Sequence, residues 1–210
     1  MDCLRWKPRG GWKDYYSQDS YTSRAWKSKI SLVERFLEIT RPRVVWDLGA
    51  NTGVFSRLAV VKGARVVAMD FDPACTELNY LGDHLGVLPL TVDLTNPSPG
   101  IGWRNKERLP IWDRGRPDTI LALALVHHLA IGNNLPLDWI ASFLSGLCNN
   151  LIVEFVPKED PKVQQMLSAR LDIFPDYTQE KFEASFREFF RIEDRQELVD
   201  SCRCLYRMVK

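Results

Sequence analysis

Apolar residues along this chain follow two periods. Ala25, Trp26, Ile30, Val33 and Leu37 recur every three or four residues. That spacing predicts an amphipathic helix over 22–40, started by Thr22 or Ser23 and ended by Pro42. Short, nearly continuous apolar runs follow, at 44–48, 65–70, 88–94, 119–126 and 150–156. Runs of this length and character predict strands buried on both faces of a parallel sheet. Helical patterns at 53–61, 73–85 and 136–147 separate them, the second opened by Asp72-Pro73. A long loop at 95–117 carries Pro97, Pro99, Gly100 and Gly102. Beyond 158 the order changes. Helices are expected at 159–171 and 178–189, then two strands at 191–197 and 202–209. The fold class is therefore α/β, a Rossmann-like, doubly wound and mostly parallel sheet closed by a C-terminal antiparallel hairpin. Residues 1–43 read as a lid or helical segment, and 44–210 as the sheet domain.

Sheets of this kind bind ligands beyond the carboxyl ends of their strands. The residues at those ends are Asp47, Asp70, Asp93, His127, His128 and Glu154. The first strand runs into Asp47-Leu48-Gly49-Ala50-Asn51-Thr52-Gly53 and then a helical pattern. Glycines in such a turn let bare backbone approach a ligand. About 20 residues on, where dinucleotide folds hold a ribose diol, the second strand ends in Asp70. The Gly-x-Gly-x-x-Gly of a pyrophosphate-binding turn is absent.

The spacing Asp47-x-Gly49-x-Asn51-x-Gly53 resembles the Asp-x-Gly-x-Gly-x-Gly motif of class I S-adenosylmethionine-dependent methyltransferases. Asn51 stands at the middle glycine, and asparagine tolerates left-handed backbone. The resemblance implies that Asp47, Gly49, Asn51 and Gly53 hold the methionine end of S-adenosyl-L-methionine. It places Asp70 on the ribose with Phe71 beside it. Asp93 and Leu94 fall near the adenine, and Leu125 on the cofactor wall. Asp72 either shares the ribose or caps the next helix. The wider wording at Leu94–Pro99, Ala124–Leu129 and Glu154–Asp160 looks like a bacterial subgroup labelled NoeA-like, after a nodulation protein.

The acceptor side rests on Val126-His127-His128-Leu129, a strand ending similar to that of many small-molecule methyltransferases. Successive strand residues point to opposite faces, so one histidine is expected to face the cleft. It could act as a general base, or both could be structural. Glu154 could contact the acceptor or pair with a cation such as Lys158. Trp12, Tyr15, Tyr16 and Trp103 are candidates for a lid or wall, or for ordinary packing. No Asn-Pro-Pro-Tyr follows the fourth strand and no cysteine follows a proline. Both facts disfavour base amino-methylation and pyrimidine C5 chemistry. The expected acceptor is a hydroxyl, less readily an activated carbon, of a small or medium-sized metabolite. No metal is expected.

Composition adds limits. At 210 residues, with 45% hydrophobic and 26% charged residues, the chain fits one globular domain. No apolar run is long enough to span a bilayer, and the first residues lack a secretory h-region. Five scattered cysteines fit a reducing cytoplasm. Cys202 and Cys204 are expected on one face of the last strand. Residues 1–43 hold 10 Lys/Arg against 5 Asp/Glu, while the rest hold 18 against 22. A basic, aromatic lead segment could be the docking surface of an RNA or protein methyltransferase, or simply a solvated cover. A non-catalytic interaction module is the remaining alternative.

Overall fold

The computed structural model describes residues 21–82 and 85–210. The first helix, α1 (Ser23–Thr40), starts where Thr22 Oγ1 accepts the Ala25 amide and ends at left-handed Arg41. Its inner face is Ala25, Lys29, Val33, Phe36 and Leu37. Four of these are the apolar positions the helical period requires; the fifth is a lysine.

The sheet then builds by alternation. β1 (Val44–Leu48), α2 (Val54–Val61), β2 (Arg65–Asp70), α3 (Pro73–Leu81) and β3 (Val87–Thr91) form the first half. β4 (Thr119–Ala122), α4 (Leu137–Leu147) and β5 (Asn150–Phe155) form the second. Two more helices follow, α5 (Pro161–Ser168) and α6 (Gln179–Arg187). The antiparallel pair β6 (Arg191–Glu197) and β7 (Cys204–Val209) ends the chain. The sheet order is β3-β2-β1-β4-β5-β7-β6. β1 to β5 are parallel, and β7 inserts antiparallel between β5 and β6. The order reverses between β1 and β4, which makes the carboxyl ends of those strands the natural binding crevice.

Both faces are covered. Val33, Phe36 and Leu37 of α1 and Phe55 and Ala59 of α2 pack on Val45, Val66, Leu121, Ile152 and Leu205. Ile140 and Leu144 of α4 and Phe182 and Phe186 of α6 pack on Trp46, Ile120, Leu151, Val153 and Tyr206 on the other side. Continuous apolar strands are the consequence of burial on two faces.

Several expectations change. β4 ends at Ala122 rather than 126, because Ala124 takes a left-handed φ of 50° and turns the chain. His127 and His128 therefore lie in a helical turn that runs on as a π-helix from His128 to Gly132. They do not alternate along a strand. β3 stops at Thr91, so Asp93 sits in the loop beyond it. α3 ends at Leu81, four residues short of the predicted end. Cys204 is buried in β7, but Cys202 precedes the strand and is exposed, so the two thiols do not share a face.

Candidate functional site

The turn after β1 is built from backbone. The amides of Gly49 and Ala50 both donate to the Met69 carbonyl, at 2.8 and 3.0 Å, and the Gly53 amide donates to Ala50 at 2.9 Å. Gly49, Asn51 and Gly53 take positive φ of 73°, 50° and 80°, so Asn51 bears the left-handed conformation its position demands. Asp70 ties this turn to β2. Its Oδ2 accepts the Asn51 amide at 2.7 Å and its Oδ1 accepts the Asp72 amide at 2.9 Å. Burial pushes its carboxyl above the usual range, against these hydrogen bonds. Asp72 is the helix cap of α3, accepting from the Ala74 amide. Asp47 is buried beneath the turn and accepts Ser56 Oγ at 2.6 Å. Burial raises its carboxyl to about 6, opposed by the Ser56 hydrogen bond.

The two glycines have different reasons. A Cβ on Gly49 would lie 3.3 Å from the Leu125 side chain, tight but on the binding side. A Cβ on Gly53 would lie 2.2 Å from Asn79 Oδ1. Gly53 thus makes room for the Asn79 side chain of α3.

Beyond these strand ends lies a cavity of about 340 Å³. Gly49, Asp70, Phe71, Asp93, Leu94 and Leu125 line it on one side, and His128, Leu129 and Asn133 on the other. Phe71 is 61% exposed, an aromatic face held open at the wall. Asp93 is exposed, and hydrogen bonds from Thr95 Oγ1 and the Thr95 amide lower its carboxyl. Asp47, Asn51 and Gly53 support the turn without lining this cavity.

The two histidines part company. His128 lines the cavity, and burial, with Arg203 adding to it, lowers its imidazole to about 4. His127 lies behind it, 1% exposed, with the two rings 4.2 Å apart. Neither His127 nitrogen has a hydrogen-bond partner among the described residues. Burial lowers its imidazole well below the usual range, with His128, Arg203 and Lys29 acting in the same direction.

Glu154 is fully buried and does not line the cavity. Its cation is not Lys158, which pairs with Asp172. Lys29 Nζ lies 2.6 Å from Glu154 Oε2, and Arg203 Nη1 lies 3.7 Å from Oε1. Arg203 in turn grips Asp160, with Nε 2.6 Å from Oδ2. Tyr21 completes the cluster, donating its hydroxyl to Glu154 Oε1 at 2.9 Å and accepting from Lys29 Nζ at 2.7 Å. Sequence reasoning missed Lys29, although a lysine in the apolar stripe of α1 was the available signal. Arg203, between two cysteines, offered none. Trp103 is 77% exposed in a 3-10 turn and does not line the cavity. Trp12, Tyr15 and Tyr16 lie outside the described residues.

A parallel sheet of this order, closed by an inserted antiparallel strand and carrying an acidic series at its carboxyl edge, defines the class I methyltransferase fold. Solved structures with that fold agree. NodS from Bradyrhizobium japonicum WM9, an N-methyltransferase, matches 90% of this chain and 97% of its own at a TM-score of 0.66, with 10% identity. Magnesium protoporphyrin IX methyltransferase from Synechocystis PCC 6803, with bound S-adenosylhomocysteine, matches 89% and 83% at 0.61, with 18% identity. No family model matches the chain. Among curated proteins it is similar to the nodulation protein NoeA of Rhizobium meliloti (strain 1021), with 37% identity over 199 residues. That is 93% of this chain but 42% of NoeA, so the chain spans about two fifths of that relative's length. A shorter similarity, 38% over 65 residues, covers 29% of the chain and 34% of the ribosomal RNA large subunit methyltransferase E of Archaeoglobus fulgidus.

Proposed function

We propose that this chain is an S-adenosylmethionine-dependent methyltransferase acting on a hydroxyl of a small or medium-sized metabolite. The observation that carries the reading is the convergence of Gly49, Asp70, Phe71, Asp93 and Leu125 on one cavity at the switch point of the sheet. These residues fit the cofactor. The Asp70 carboxylate suits a ribose diol, exposed Phe71 offers a face for the adenine, and Asp93 can accept from its amino group. When bound, the cofactor supplies an electrophilic methyl on a sulfonium.

The chain's own residues do the rest. The turn at 49–53 fixes the cofactor's place. His128 and Leu129 form the wall toward the acceptor. His128, with its imidazole lowered to about 4, is a weak base. Rate enhancement then comes chiefly from holding the two reactants in line. The reading is tested by titration calorimetry with S-adenosylmethionine and S-adenosylhomocysteine. Binding of neither would overturn it. A labelled-methyl screen of cell extract, fractionated into RNA, protein and small molecules, identifies the acceptor class.

A second reading, methylation of RNA, is favoured by the partial similarity to an RNA methyltransferase and by the basic residues of 1–43. It predicts labelled RNA and a steep loss of activity with salt. The small-molecule reading predicts neither.

A further inference from the structure

The connection from β3 to β4 carries a hairpin tip that stands outside the cofactor cavity. Its stem is anchored in the core. Ile111 is buried, and its amide donates to the Ser98 carbonyl at 3.1 Å. Trp112 packs its ring on Trp46 and Phe143, with centroids 6.0 and 5.0 Å away. Above the stem, Ile101 and Arg108 exchange two backbone hydrogen bonds of 3.1 Å and close the hairpin. Inside it the Asn105 amide donates to Gly102 and the Lys106 amide to Trp103, at 3.0 and 3.2 Å. Arg104 and Asn105 both take a left-handed φ of 58°. That conformation is unfavourable for arginine, and no burial offsets it, since residues 102–109 are all exposed.

The tip combines two kinds of side chain. Trp103 is 77% exposed and Leu109 54%. Arg104, Lys106 and Arg108 stand between them, and Arg114 joins through its Nε, which donates to the Leu109 carbonyl at 2.8 Å. None of these four cations is ion-paired among the described residues. They outnumber the two carboxylates of 101–114, Glu107 and Asp113. Glu107 is folded back over Gly102, where a Cβ would meet its Oε2 at 2.2 Å. An indole among unpaired cations suits a bilayer interface, where the ring seats at the headgroup level and the cations meet acidic lipids.

We infer that this hairpin, Ile101 to Arg108 with Leu109 and Arg114, docks the protein on an anionic lipid bilayer. The inference goes beyond the methyltransferase reading and stands without it. Shape and chemistry decide between lipid and nucleic acid. A single strand follows a basic groove with aromatic platforms for successive bases. Here one ring stands on a projecting turn, and the second exposed apolar side chain is aliphatic, which offers hydrocarbon contact but no stacking. The docking is peripheral, since no helix among the described residues is long and apolar enough to cross a membrane.

Co-sedimentation with vesicles tests the docking. The protein should bind phosphatidylcholine vesicles containing phosphatidylglycerol at least tenfold more tightly than vesicles of phosphatidylcholine alone, and salt should weaken that binding. Arg104→Ala and Lys106→Ala should each weaken it about fivefold, and Trp103→Ala about tenfold. Brominated phosphatidylcholine in the anionic vesicles should quench the unaltered protein's fluorescence more than that of Trp103→Phe. Absence of binding overturns the inference. So does binding that Trp103→Ala, Arg104→Ala and Lys106→Ala leave unchanged, or equal quenching in Trp103→Phe, since either places the contact on another surface. Tighter binding to poly(U) than to anionic vesicles, lost in the same variants, assigns the tip to nucleic acid and overturns it too. The replaced side chains are all exposed, and urea denaturation confirms that each variant is folded. Calorimetry with S-adenosylhomocysteine stands apart: its failure would sink the methyltransferase reading and leave the docking untouched.

Discussion

Gly53→Ala should destabilise the protein partly through Asn79, and removal of Asn79 should relieve the steric part of the harm. At a φ of 80°, alanine pays the left-handed penalty of roughly 1–2 kcal/mol. Its Cβ would also arrive 2.2 Å from Asn79 Oδ1, a contact that must be relieved. Asn79 is 3% exposed in α3, so its side chain has little room to retreat. Overpacking of this kind costs about 1–3 kcal/mol. The single variant should therefore lose about 2–5 kcal/mol, within the stability of an ordinary domain. Asn79→Ala removes an amide whose Oδ1 is buried without a partner among the described residues, so its own cost should fall near 1 kcal/mol. The double variant should keep only the backbone penalty and the loss of Asn79, with a coupling of about 1–3 kcal/mol. Urea denaturation followed by circular dichroism measures all four proteins, with unchanged m-values as the check on two-state behaviour. Additivity within about 0.5 kcal/mol would refute the packing account and return Gly53 to the ligand.

Three further outcomes are expected. Lys29→Met strands Glu154 in the interior and should cost about 3–5 kcal/mol, while Lys29→Met with Glu154→Leu should recover most of it in the same denaturation assay. Asp47 deprotonates near 3.8 when unfolded and at about 6 when folded. The folded state holds the extra proton, so its contribution to stability falls as pH rises through that window. Asp47→Asn should accordingly gain on the unaltered protein by roughly 2 kcal/mol between pH 4 and pH 7; a flat difference would contradict the burial argument. Asp70→Asn weakens the charge-assisted hydrogen bonds from Asn51 and Asp72 and the contact to a ribose diol. Calorimetry should show S-adenosylhomocysteine binding about 10- to 100-fold more weakly.

What the sequence determined by itself was local and periodic. β1 and β2 have the predicted bounds, because each places four apolar residues in a short run between turn signals. The positive φ at Gly49, Asn51 and Gly53 was legible because those residue types tolerate it best. The order of strand-end acids was legible too, since a doubly wound sheet puts such residues on one edge. Only the tertiary structure decided the rest. It cut β4 short at Ala124, and so set His128 on the cavity and His127 behind it. It paired Glu154 with a lysine 125 positions earlier rather than with the nearby Lys158. It made Gly53 a matter of packing on Asn79. Periodicity records which residues are buried along one element. Which buried group meets which, across elements far apart in the chain, is fixed only when the sheet has folded and every interior charge must find its partner.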